Sequence, residues 1–426
     1  MQYKANDPSL KSWVSIPKES DFPIQNLPYG IFSTANKSPR VGVAIGNQIL
    51  DLTEVQSAQL FKNIDLPERI FDQPTLNAFM DLGKKLTVAV RERISELLQE
   101  SNQELQGNNQ LKDKSLVLQE EATMHLPIKI GDYTDFYSSE SHATNVGTMF
   151  RDPDNALLPN WKHIPVGYHG RASSIVISGT PLHRPNGQTK APDAVAPSFG
   201  PSQRVDFELE MAFITCGGNV LGEPISTKDA ADHIFGFTLF NDWSARDMQV
   251  WEYVPLGPFL AKSFGSNMSP WIVTLEALEP FKVAGPVQKP EVFPYLKFEG
   301  DYHFDVQLQV AIQPKGSEEK VVSHSNFKHM YWNVVQQLAH QTVNGCNTNT
   351  GDLYASGTIS GPEEGSFGSM LEIAWKGTKP VAMPDGSERR FIHDHDTVIM
   401  RGHGARNGVR IGFGEVRSEI LPAKEV

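Results

Sequence analysis

Cysteine is nearly absent. The 426 residues contain two, Cys216 and Cys346, so no disulfide framework is expected and a reducing compartment fits. Neither cysteine belongs to a Cys-x-x-Cys pair, and there is no His-Glu-x-x-His or Gly-x-Ser-x-Gly pattern. That excludes the usual signatures of a thiol redox centre, a zinc protease and a serine nucleophile elbow. No glycine-rich phosphate loop follows a strand, so no organic cofactor is expected. No apolar run approaches the roughly 20 residues of a membrane span. The stretch from Met1 to Pro23 is polar and lacks the apolar centre of a secretory signal. These absences predict a cytoplasmic protein without membrane contact. The net charge is −12 and no basic tract stands out, so nucleic acid is not an expected partner.

What is present is glycine (34) and proline (29), which suits a loop-rich β protein long enough for two or three domains. Residues 29–33, 41–45 and 48–52 read as short strands, with Gly46-Asn47 as a tight turn between the last two. Residues 75–100 read as one helix capped by Thr75, with Leu86, Val90, Ile94, Leu97 and Leu98 at helical spacing. Residues 100–115 are polar and read as an exposed connection, which places a domain boundary near 123. Beyond it, strands are predicted at 173–178, 205–215, 234–241, 271–275, 304–312, 370–376, 396–400 and 409–413, and a helix at 326–342.

The most informative stretch is 205–213. Val205, Phe207, Leu209, Met211 and Phe213 alternate with Asp206, Glu208, Glu210 and Ala212. A period of two puts three carboxylates on one face of a strand, roughly 7 Å apart. Strands usually avoid acidic residues. A hard divalent cation would relieve the repulsion, and oxygen-only ligands suit calcium or magnesium. The alternative is an amphipathic strand with a solvated acidic face. Asp242 ends an apolar strand candidate and is either a helix N-cap or a fourth carboxylate. A helix starting near Ser244 places Arg246, Gln249 and Tyr253 on one side, where the donors suit a developing oxyanion or simply face water. Lys262 lies in a Pro/Gly-rich loop that would leave it solvated unless carboxylates are close. The segment 131–142 reads as a loop, with Asp135 a candidate ligand and His142 a candidate base. Arg151 and Tyr168 are candidates for holding an anionic substrate. His393-Asp394-His395-Asp396 looks like a metal motif, but its place between two strand candidates favours a turn.

Taken together, these segments resemble the fumarylacetoacetase family through nearly the whole chain. The resemblance is carried by residues 21–33 (Asp-Phe-Pro-Ile-Gln-Asn-Leu-Pro-Tyr-Gly-Ile-Phe-Ser), 134–139, 142–147, 155–161, 241–247 (Asn-Asp-Trp-Ser-Ala-Arg-Asp), 251–259, 355–361 and 366–372. It implies a mainly β, mixed α+β fold: a small SH3-like barrel domain over 1–123 and a larger C-terminal β-sandwich roll over 124–426, assembled as a homodimer. It implies that Asp135, Glu208, Glu210 and Asp242 bind calcium or magnesium, with Asp206 outside the set. A second ion would involve Asp242, the main chain of Lys262 and position 266, where this chain has Ser266 and the family usually has threonine. His142 matches the proton acceptor and Glu372 the carboxylate that orients it. In the mechanism expected from these residues, Arg246, Gln249 and Lys262 stabilise the oxyanion. Tyr137, Arg151, Tyr168, Gln249, Tyr253 and Thr358 match substrate contacts. The implied reaction is hydrolysis of the carbon–carbon bond of the small diketo acid 4-fumarylacetoacetate to fumarate and acetoacetate, a step of tyrosine and phenylalanine catabolism. The alternative is an acylpyruvate hydrolase or another metal-dependent diketone lyase or decarboxylase of the same superfamily.

Overall fold

The computed structural model describes residues 3–426. Near the N-terminus, strands Tyr29–Thr34, Lys37–Ile45 and Gln48–Asp51 form a meander. Ile45 pairs with Gln48 across Gly46-Asn47, with Gly46 at φ +57°, the left-handed conformation that a two-residue hairpin turn requires. Leu116–Leu118 and Thr123–His125 extend the meander to a five-stranded antiparallel sheet. This is the small strand-rich domain expected. Its last strand runs through residue 123.

The predicted helix over 75–100 is two helices, Asn77–Met80 and Lys84–Leu98. Gly83 divides them at φ +82°, and Thr75 caps neither. The polar stretch after residue 100 holds a helix, Asn109–Ser115, whose first turn is capped by Asn108 Oδ1 accepting from the Leu111 N–H at 3.1 Å.

The larger domain stacks two sheets. One contains, in order, Gly167–His169, Tyr133–Phe136, Leu353–Ala355, Leu209–Thr215, Ile234–Asp242, Ser266–Met268 and Ile175–Ile177, with Val273–Thr274 also paired to Ile234–Asp242. The other contains Lys320–Asn326, Gln307–Gln313, Thr397–Arg406, Val409–Leu421 and Leu182–His183. The long hairpin 397–421 turns at Asn407-Gly408, both at positive φ, so its strands run well past the predicted 396–400 and 409–413. The predicted 205–215 strand is interrupted. Val205–Asp206 pairs with Ser244–Ala245, and Leu209–Thr215 enters the large sheet. The predicted strand at 370–376 is instead a short helix, Met370–Ile373, capped by Ser369. The helix expected at 326–342 begins only at Val334, after an Asn333/Gln336 capping box.

Alternation along the large sheet decides what each face meets. Leu209, Met211, Phe213, Phe237 and Leu239 point into the sandwich core with Leu308, Val310, Met400 and Phe413. Ala212, Ile214 and Phe240 point the other way, joined by Phe235 where the register shifts, and pack with Tyr29, Leu76, Phe79 and Ile94 of the small domain. Tyr29 and Ile272 exchange two backbone hydrogen bonds of 2.9 and 2.8 Å across this seam. Beside them, a Cβ on Gly30 would lie 2.8 Å from the Trp271 ring and 2.9 Å from the Pro270 carbonyl. Gly30→Ala is therefore expected to destabilise the protein by about 1–3 kcal/mol, measured by urea unfolding. A variant as stable as the parent would show that the seam yields freely.

Candidate active site

The face that meets the small domain also carries the acidic residues. Glu210 shares it with Ala212 and Ile214, Asp242 with Phe240, and Asp135 with Tyr133. The sheet register puts Asp135 opposite Ala355, Ala355 opposite Ala212, and Glu210 opposite Phe240. The strand ends therefore converge. One oxygen each from Asp135, Glu208, Glu210 and Asp242 falls within 4.8 Å of the others, and all four residues are buried. That rules out the solvated acidic face. Asp242 is the last residue of its strand and caps no helix. Asp135 lies in a strand and His142 in the first turn of the helix Glu140–Phe150, so the segment read as a loop is mostly regular structure.

Two cations border the cluster. Lys262 sits in a short helix, Leu260–Ser263, and is buried rather than solvated. Its Nζ donates to Glu208 Oε2 at 2.6 Å and Asp242 Oδ2 at 2.9 Å. Arg246 donates through Nη1 to Glu208 Oε1 at 2.7 Å and to Gln249 Oε1 at 3.2 Å. Ser266 Oγ and the Tyr168 hydroxyl donate to Asp242 at 2.6 and 3.1 Å. The Gly357 N–H donates to Glu210 Oε2 at 3.0 Å. Burial would raise the pKa of Glu208, but Lys262 and Arg246 outweigh it and hold the group well below the usual carboxylate range. Asp135 and Glu210 lack such partners. Burial, reinforced by the neighbouring carboxylates, pushes both well above that range.

This donor set fits a hard divalent cation. Asp135 Oδ1 and Glu210 Oε1 are buried acceptors with no hydrogen-bond partner, an arrangement proteins rarely tolerate. The four carboxylates outnumber the two cations, Lys262 and Arg246, by two charges.

Beside the cluster stands a dyad. His142 Nδ1 lies 2.7 Å from Glu372 Oε2, and both side chains are buried. Glu372 also accepts from Asn145 Nδ2 (2.9 Å), Ser360 Oγ (2.9 Å) and Ser369 Oγ (2.8 Å). Burial alone would raise its pKa, but His142 and these donors bring it below the ordinary value. An ionised Glu372 is an acceptor only, so it takes the Nδ1–H and leaves the imidazole lone pair on Nε2. The Tyr137 ring meets His142 edge-on, with centroids 5.2 Å apart.

The remaining expected substrate contacts are less closely gathered. Thr358 is buried next to Gly357, whose N–H reaches Glu210. Arg151 is exposed at the end of the His142 helix, and its guanidinium donates to the Ala156 carbonyl. Tyr253 is exposed after the Arg246 helix. The His393–Asp396 segment makes ordinary structural contacts: Asp394 pairs with Arg184, Asp396 pairs with Arg389, and His395 Nδ1 lies within hydrogen-bond distance of Glu419. Asn145, Ser360 and Ser369 went unnoticed in the sequence. Asn145 carried a signal, three residues after His142 and hence on the same helical face, and Ser369 carried one in its helix-cap spacing to Glu372.

The comparisons with known proteins extend over both domains. Residues 25–127 match the model of the fumarylacetoacetase N-terminal domain, and 132–421 match that of the fumarylacetoacetate (FAA) hydrolase C-terminal domain. A fumarylacetoacetase of Caenorhabditis elegans is 58% identical over 97% of this chain and 100% of its own length. One of Homo sapiens is 53% identical over 97% and 99%. The solved structure of a fumarylacetoacetate hydrolase from Exiguobacterium antarcticum, 17% identical, superposes with a TM-score of 0.53 over 93% of this chain and all of that one, and shares the fold. With both domains matched in order, the chain belongs to the fumarylacetoacetase family.

Proposed function

We propose that this protein hydrolyses 4-fumarylacetoacetate to fumarate and acetoacetate, using His142 as the base that activates water. The observation that carries the reading is the burial of the His142–Glu372 dyad beside a four-carboxylate cluster bordered by Lys262 and Arg246. Cleaving a carbon–carbon bond by hydrolysis requires a departing carbanion. In a 1,3-diketone that carbon leaves as an enolate, which is far more stable. Asp135, Glu208, Glu210 and Asp242 would hold calcium or magnesium, with Ser266 and the Lys262 main chain near a second ion. Bound there, the cation supplies Lewis-acid stabilisation of the enolate charge.

The chain's own residues divide the rest of the work. Glu372 holds the imidazole in one tautomer, and His142 Nε2 takes a proton from water. The hydroxide adds to the carbonyl carbon of the fumaroyl group, and the bond from that carbon to the methylene between the two ketones then breaks, giving fumarate and the acetoacetate enolate, which takes up a proton. Arg246, Gln249 and Lys262 offset the negative charge that develops on the carbonyl oxygen. Arg246 Nη2 is buried without a partner and so is free to donate. Tyr137, Arg151, Tyr168, Tyr253 and Thr358 position the substrate.

Full-length relatedness that includes the small domain favours this substrate over acylpyruvates. Exposed Trp251, at the end of the helix Arg246–Glu252, and exposed Val254, Leu256 and Phe259 on the loop after it support assembly as a homodimer. Two unpaired cysteines and the lack, among the described residues, of a helix long and apolar enough to cross a membrane are compatible with a cytoplasmic location. The proposed division between domains follows residue 123, within two residues of the end of the first sheet.

The test follows the diketone absorbance. Purified protein with magnesium or calcium is expected to bleach fumarylacetoacetate and to leave acylpyruvates nearly untouched, and chelator should stop the reaction. Faster loss of acylpyruvate, or turnover indifferent to chelator, would refute the reading.

A further inference from the structure

The three acids of the 205–213 stretch do not share one task. Asp206 is fully buried and lies outside the carboxylate cluster. Its Oδ2 accepts from Arg246 Nε at 2.8 Å and from the Leu371 N–H at 3.0 Å, and its Oδ1 accepts from the Met370 N–H at 2.7 Å. Met370 and Leu371 are the first two residues of the helix that carries Glu372. The same short stretch of backbone is tied to that helix from both sides. The Leu209 N–H donates to the Gly368 carbonyl at 2.9 Å, and Glu208 bridges Ser369.

We propose that Asp206 is a positioning residue that sets the His142–Glu372 dyad and the Arg246 guanidinium at a fixed separation. One carboxylate grips Arg246, whose Nη1 holds Glu208 and whose Nη2 is left free. It also grips the backbone amides immediately before Glu372. The proton acceptor and the oxyanion donor act on the two ends of one event, water addition to a carbonyl, so their spacing must match the geometry of that addition. Among the described residues, no other side chain hydrogen-bonds both the Arg246 guanidinium and the amides of this helix. Neither contact touches substrate or cation, so Asp206 acts only through its neighbours.

The inference rests on the reading of His142 and Glu372 given above, and the test separates the two. Asp206→Asn keeps the size and retains an acceptor for Met370, but it loses the charge that holds Arg246 and turns an amide toward it. With the cation-loaded protein, kcat is expected to fall about 100-fold, the cost of a small misplacement of reacting groups. KM and the bound cation should change little. In the Glu372→Gln background the same substitution should cost much less than it does alone, because both changes act on the same dyad. The low-field proton resonance of the His142 Nδ1–H should shift or broaden in Asp206→Asn.

If Asp206→Asn does not fold, Asp206→Glu takes its place, with the same kinetic and cation readouts. Several outcomes overturn the assignment: near-parental kcat in a folded, loaded variant; loss of kcat together with the cation; full additivity with Glu372→Gln; or failure of both variants to fold. A parental Glu372→Gln would instead overturn the reading of the dyad.

Discussion

His142→Ala is expected to reduce kcat by about 10²- to 10⁴-fold, the usual contribution of a positioned proton acceptor, while the protein keeps its full complement of divalent cation. The two halves of that statement come from separate observations. The imidazole is held through Nδ1 by Glu372 at 2.7 Å, which leaves one nitrogen for water. The residue is also absent from the four-carboxylate cluster, so no cation ligand is removed. Glu372 sits in a socket of three further donors, Asn145, Ser360 and Ser369. Alanine at 142 therefore leaves a buried carboxylate still hydrogen-bonded, and the fold should survive. Steady-state kinetics and elemental analysis on the same preparation decide the matter. A variant with near-parental kcat would remove His142 from the mechanism, and one that had lost its cation would move the residue into the coordination shell.

Glu210→Ala is expected to lose the cation and, with it, activity. A direct ligand should matter more than the outer-shell partners whose loss typically costs about 10- to 100-fold in affinity. The unpaired oxygens of Asp135 and Glu210 are the only buried carboxylate oxygens without partners among the described residues, so they are the groups that gain most from an ion. The change also has a thermal signature. A ligand at 100 times its dissociation constant stabilises a folded protein by about 2.7 kcal/mol, so the parent's melting temperature should rise on adding magnesium or calcium. In Glu210→Ala that rise should vanish. Full occupancy by elemental analysis, or an unchanged cation-dependent shift, would refute the ligand assignment.

The alternation over 205–213 was legible because a period of two leaves few other readings, and the convergence of Glu208, Glu210 and Asp242 followed from strands that end together. What the pattern could not show was the break at Phe207-Glu208. Asp206 leaves the face of its neighbours because Arg246 and two helix amides compete for it, and those partners are far away in sequence. The misread strand at 370–376 had a local warning in Ser369-x-x-Glu372, the spacing of a helix cap. Gly83 likewise marked the division of the first helix. The loop assigned to 131–142 failed for another reason: Tyr133–Phe136 is only four residues long and draws its pairing from Leu353–Ala355, more than 200 positions onward. The burial of Lys262 was invisible for the same reason, since Pro and Gly around it argue for solvent and only the folded sheet brings Glu208 and Asp242 to it.

The sheet whose strand ends hold the acidic cluster is covered, a few residues further along the same side, by the N-terminal module. Ala212, Ile214 and Phe240 lie one or two pleats from Glu210 and Asp242. Stripping that module away would wet a greasy plane bordering the charged centre and admit bulk water to a place that depends on a low dielectric. Wear in the module, from heat or from a poorly tolerated substitution, should thus register first as a weakened grip on the ion, before the larger half itself begins to melt.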